Sequence, residues 1–179
     1  EHDDVYVSYQ ARLSLHALWP SKFANEDIEE MTNHVERMLF LRGVPLFQNL
    51  GGKDLRKISE ISVDQKFKSG DFVVKEGEMG DCMYIIRKGQ VKVLKKSEQK
   101  GVEDLELAIL QAPDFFGEVA ILEENQERTA HVQAITELDT LCISAGDFRH
   151  LIFARPQVAL ALMRKLSQLL RATLQKVGQ

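Results

Sequence analysis

"GDFVVKEGEMGDCMYIIRKGQVKVL", Gly70–Leu94, decides the fold. Val, Ile, Leu and aromatic residues come in short runs, and Gly70-Asp71, Gly77, Gly80-Asp81 and Gly89 break those runs up. Short apolar runs at regular spacing with glycine turns mark the strands of a sandwich or barrel. The pattern continues outward: "DLELAIL" (104–110) follows Gly101, and "HVQAITELDTLCIS" (131–144) supplies two more strands. Upstream, "VPLFQNLGGKDLRKISEI" (44–61) reads as a turn and a short amphipathic helix with Leu55, Ile58 and Ile61 inward. Downstream, "DFRHLIFA" (147–154) makes one short helix. "PQVALALMRKLSQLLRATLQKV" (156–177) makes a longer one, with Pro156 at the first helical position and Leu162, Leu166, Leu169 and Thr173 along one face.

At the N-terminal end, Ile28, Met31, Val35 and Met38-Leu39 recur at helical spacing behind the cap-like Asn25-Glu26-Asp27. An earlier helical stretch around Leu13, Leu15, Leu18 and Trp19 is interrupted by Pro20. The expected organisation is a helical extension or connector (1–43), a β-roll (44–145), and hinge and lid helices of the same domain (146–179). The expected fold class is α+β: an antiparallel, jelly-roll-like β-roll with N-terminal helices and two C-terminal helices.

The chain has 179 residues, 44% hydrophobic and 28% charged, with a formal charge of -4. That balance carries no electrostatic footprint for nucleic acid. No apolar run approaches the roughly 20 residues of a membrane helix. Cys82 and Cys142 form no CxxC and are expected to be reduced structural thiols, which places the protein in the cytoplasm. The start lacks Met and an apolar leader, so the chain is expected to be a piece of a longer one.

Catalytic and metal motifs are missing. The five histidines form no HExxH or HxH, and neither GxxxxGK[ST] nor GxGxxG occurs. No Ser or Cys sits in a nucleophile motif. A metal-dependent small-barrel enzyme is the alternative these absences weigh against; the expectation is a non-enzyme without cofactor or metal.

What remains is "FFGEVAILEENQERTAHV", Phe115–Val132. Gly117 lets backbone approach a ligand closely, and a short helix over "GEVAIL" would point its first N–H groups at an anion. The Glu118 carboxylate accepts hydrogen bonds only, which suits a hydroxyl donor. The Arg128 guanidinium offers a planar fork that matches phosphate oxygens, and Thr129 adds one hydroxyl. Val119, Ala120, Ile121 and Leu122 anchor the loop in the core. A small anionic, hydroxylated ligand satisfies every part; the other reading is a roll that takes no such ligand and acts as an interaction module, with Glu118 and Arg128 in a salt bridge or facing solvent.

This stretch closely resembles the phosphate-binding cassette of cyclic nucleotide-binding domains. The G-D, E-G, G-D and K-G punctuation of Gly70–Leu94 and the helices after Gly146 also resemble that family, over roughly Val44–Val177. Within it, the loop length of "EENQE" and the register of the last helix resemble the bacterial catabolite activator type. The resemblance implies that Glu118 holds the ribose hydroxyl and Arg128 the cyclic phosphate, assisted by Thr129. Gly117 and Ala130 would supply backbone, and Thr173 would reach the base. Val119, Ala120 and Leu107 complete the implied ligand-binding set. The implied function is a cAMP or cGMP sensor that moves a helix against an effector in the same longer chain. A homodimer through the C-terminal helix is a further implied partner. Leu174 stands where the activator has a Ser, and no helix-turn-helix follows within the chain, so a truncated transcription factor stays open as an alternative.

Overall fold

The structure is a computed structural model that describes residues 25–97, 103–122 and 127–177. In its first helix side chains are described from 32 onward, and in its last up to 168 and at 170 and 171. The stretch around Leu13–Trp19 and the side chains of Asn25-Glu26-Asp27 lie outside the described residues. Helix α1 (Asn25–Gly43) leads through a turn to α2 (Gly52–Ile61). Strands β1 (Val63–Phe67), β2 (Phe72–Val74), β3 (Cys82–Lys88), β4 (Gln90–Lys95), β5 (Leu105–Gln111) and β6 (Phe115–Phe116) follow. A single helical turn, α3 (Glu118–Leu122), separates them from β7 (His131–Ala134) and β8 (Leu138–Ser144). Helices α4 (Ala145–Ala154) and α5 (Pro156–Val177) close the chain.

The strands form two four-stranded sheets, ordered β1-β8-β3-β6 and β2-β7-β4-β5, with antiparallel pairs throughout. This is the expected α+β roll, with the glycine-punctuated stretch at its centre. All of Cys82–Ile86 is buried, because β3 faces a core on each side. Its alternate residues Cys82, Tyr84 and Ile86 pack between the sheets with Val74, Val91, Phe116, Val132 and Cys142. Met83 and Ile85 pack the other way, on Leu41, Phe47, Ile58, Phe148 and Leu162 of the helical layer. A strand buried on both faces reads as a continuous apolar run, not as an alternation.

The helical layer is fastened by charge as well as by packing. Arg37 of α1 donates to the carbonyls of Ser59 (3.3 Å) and Ser62 (3.1 Å) and pairs with Asp64 of β1, which also takes Arg87 at 2.7 Å. Ser144 caps α4 by accepting from Asp147 N at 3.1 Å. Gly146, near which a hinge was expected, therefore lies inside the first turn of α4. The chain leaves helical geometry at Arg155 (φ -139°, ψ 79°), just before Pro156. A residue preceding proline is driven from helical angles by the proline ring. Arg155 is held there by Asp54 of α2, at 2.8 Å through Nε and 2.7 Å through Nη2.

Candidate ligand-binding site

The site forms where β6 ends. Gly117 follows Phe116 with φ +85°, a left-handed conformation that L side chains rarely adopt, and turns the chain into α3. Glu118 opens that turn, Val119 is half-buried, and Ala120 and Ile121 are buried beneath it. The expected short helix is present; Leu122, expected to anchor it in the core, ends it and is instead 45% exposed.

Arg128 reaches the same place from the other side of the loop. Its backbone is clamped by the segment after β2: Arg128 N donates to Glu78 O at 2.8 Å, and Gly77 N donates to Arg128 O at 2.9 Å. The residue is only 5% exposed. Nη1 donates to the Gly117 carbonyl at 3.0 Å, Nη2 lies 3.8 Å from Cys82 Sγ, and the guanidinium carbon stands 5.9 Å from the centre of the Tyr84 ring. A β-carbon on Gly80 would come within 3.0 Å of Nε and 2.5 Å of Ala120 Cβ, so Gly80 gives the guanidinium its room.

Among the described residues the nearest carboxylate is Asp81, at 3.9 Å and itself 91% exposed. Glu118 is not among the hydrogen-bond or ion-pair partners of Arg128. Among the described residues, a guanidinium buried this deeply has one carbonyl, one sulfur, one aromatic ring and one distant surface acid around it, and is undercompensated in charge. Buried charges are normally paired, because an ion withdrawn from water loses its solvation.

Burial pushes the Glu118 carboxyl above its ordinary value of 4.5, while its own backbone N–H, Lys165 and Arg128 pull it down. The native state therefore keeps this proton where the unfolded chain has lost it. Stability from the group is full below pH 4.5 and falls as pH rises through the higher folded-state value. Glu118→Gln is expected to flatten the melting temperature against pH just above pH 4.5; superimposable profiles for variant and wild type would refute this. Lys165 of α5 bonds Asp114, in the turn before β6, at 2.7 Å and so brings α5 beside the site.

The remaining expected residues are distributed unevenly. Thr129 is exposed and Ala130 half-buried, both beside Arg128. Leu107 lies on β5 and is 45% exposed. It is the extra residue where the β4–β5 register shifts between Val93↔Ala108 and Leu94↔Glu106. Thr173 lies on α5, but its side chain, those of Leu169 and Leu174, and residues 123–126 of the loop fall outside what is described.

Sequence reasoning missed Gly80, Cys82 and Tyr84. The alternation of "CMYII" would have placed Cys82 and Tyr84 on one face; nothing in it said that this face meets Arg128. The two thiols are free and buried, and contact with Cys142 lowers Cys82 to about 7, against burial. Among the described residues no group of His, Cys, Asp and Glu could hold a metal ion, and no helix is long and apolar enough to cross a membrane.

The sequence profile of the cyclic nucleotide-binding domain matches residues 64–155, from β1 through the loop and α4 to Arg155. The chain belongs to the cyclic nucleotide-binding domain family. Among curated proteins this domain is 36% identical over 113 residues to the cAMP-activated global transcriptional regulator CRP of Salmonella typhimurium, covering 63% of this chain and 53% of that one. It is also 33% identical over 114 residues to cGMP-dependent protein kinase, isozyme 1, of Drosophila melanogaster, covering 63% of this chain and 15% of that one. The domain thus spans about half of one relative and a small part of the other. Among solved structures, the regulatory domain of Toxoplasma gondii PKA with cAMP superposes with a TM-score of 0.68 at 26% identity. That match covers 77% of this chain and 51% of that one. The likeness to the bacterial activator is borne out, and kinase regulatory domains share it.

Proposed function

We propose that this cyclic nucleotide-binding domain is a non-catalytic sensor of cAMP or cGMP that relays a helix movement to an effector. The observation that carries this is the undercompensated guanidinium of Arg128, 5% exposed and bonded to the Gly117 carbonyl. A cyclic phosphate is a monoanion with exocyclic oxygens suited to a guanidinium fork. Glu118, one residue beyond Gly117, takes the ribose hydroxyl, and that bond offsets the burial of its carboxylate. Leu107, Val119 and Ala120 supply apolar contact, Thr129 and Ala130 complete the phosphate side, and Thr173 reaches the base from α5. Isothermal titration with cAMP and with cGMP tests the reading: one site per chain for at least one nucleotide is expected, and no heat with either overturns it.

The relay runs through α5. Lys165 ties it to Asp114, three residues before Gly117, and Arg155 ties its start to α2. A ligand moves that helix only by contacting it differently in two positions. The effector belongs to the longer chain, of which residues 44–145 are the sensing roll, 1–43 the connector and 146–179 the lid.

A second copy of the chain is the partner that α5 fits. Val158 and Leu162 are buried against the roll and Leu166 packs there too. On the other side Leu160, Met163 and Leu170 are 52%, 56% and 60% exposed, with exposed Ser167 between them. The spacing 160, 163, 167, 170 is the a/d spacing of a heptad, the seam of a two-stranded coiled coil. Met163→Glu is expected to turn a dimer into a monomer in sedimentation velocity. A wild-type chain that sediments as a monomer at high micromolar concentration would remove this partner.

A further inference from the structure

The clamp on Arg128 and Thr129 has a charged fixture behind it. Glu76 lies in the turn after β2, and its carboxylate takes Lys95 Nζ at 2.7 Å on one oxygen and Lys96 N at 2.9 Å on the other. Lys95 Nζ also donates to the Thr129 carbonyl at 3.0 Å. The backbone N–H of Glu76 donates to His131 Nδ1 at 3.0 Å. Gly77, the next residue, donates to the Arg128 carbonyl at 2.9 Å. Glu76 and its neighbour therefore hold the chain at Arg128, at Thr129 through Lys95, and at His131. Between these points the backbone belongs to no strand. The lysine and its backbone neighbour hold the Glu76 carboxyl below the usual carboxylate range, against burial.

We propose that Glu76 and Lys95 form a positioning brace for the nucleotide site, setting the Arg128–Thr129 backbone before the ligand arrives. The proposal rests on the cyclic nucleotide reading above. Neither side chain touches the ligand; the pair acts by sparing the loop the ordering that binding would otherwise require. Lys95 is the link, because a single ammonium bonds both the Glu76 carboxylate and the Thr129 carbonyl.

Isothermal titration of cAMP and cGMP into the full chain reads dissociation constant and stoichiometry separately. Glu76→Gln and Lys95→Met are each expected to raise the dissociation constant about fivefold with stoichiometry unchanged. Lys95→Arg, which can still bridge acid and carbonyl, is expected to restore affinity to within about twofold of wild type. The Glu76→Gln/Lys95→Met double variant is expected to bind no more weakly than either single one, since partners in one network are not additive. A purely structural role would lower the melting temperature and the stoichiometry and leave the dissociation constant of the folded fraction alone. Wild-type affinity in Glu76→Gln, or additive losses in the double variant, overturn the brace while leaving the sensor reading intact. A wild-type chain that binds neither nucleotide overturns both.

Discussion

Arg128→Ala is expected to raise the dissociation constant for cAMP by at least about thirtyfold, a loss on the order of 2–5 kcal/mol for a buried charge pair deprived of one partner. The expected loss is large because the donors beside it, among the described residues, are already engaged. The other cation that acts on Glu118 is Lys165, which is engaged with Asp114. The backbone N–H of Arg128 is already committed to Glu78 O. The same change relieves the domain of an undercompensated buried charge, so stability is expected to change less than affinity. Affinity equal to wild type by calorimetry would remove Arg128 from the phosphate role. A parallel loss of affinity and melting temperature would reduce it to a packing residue.

Gly117→Ala is expected to damage both folding and binding. The residue sits at φ +85°, where a side chain is strained, and the new β-carbon would lie 2.5 Å from Arg128 Nη1 and 3.2 Å from the Cys82 carbonyl. The guanidinium can retreat, whereas the Cys82 carbonyl belongs to the central strand. Left-handed strain in a residue other than glycine costs about 1–3 kcal/mol. Displacing Nη1 also breaks its bond to the Gly117 carbonyl and moves the fork off the phosphate position. A chemical-denaturation midpoint within error of wild type, with nucleotide affinity retained, would show that the loop has more room than its geometry allows.

The fold was legible because its evidence is local. Glycine between apolar runs, Pro156 at a helix start and the leucines of α5 each specify an element within a few residues. Gly117, Glu118 and Arg128 were legible as a set because the chain keeps them within a single loop. What surrounds Arg128 was not. Cys82 and Tyr84, with Gly80 just before them, arrive from a strand about 46 residues away in sequence, and the pairing of β3 with β6 and β8 brings them under the guanidinium. In the sequence Glu76 is only the acid of the E-G punctuation; its meaning depends on Lys95 at the far end of β4. The exposed stripe of α5 was hidden by its neighbour. Leu162 and Leu166 already explained the helix as a packed one, and a second apolar face needs the first to be seen buried.

The two-sided burial of β3 fixes more than stability. Slipping this strand by one residue along β8 would exchange its faces. Met83 and Ile85 would then enter the space beneath Arg128, and Cys82 and Tyr84 would enter the helical layer. Most sheets resist such an error on one side only, where the core lies. Here two independent interiors reject it at once. The helical layer, by rejecting Cys82 and Tyr84, thereby helps to set the floor on which the guanidinium rests.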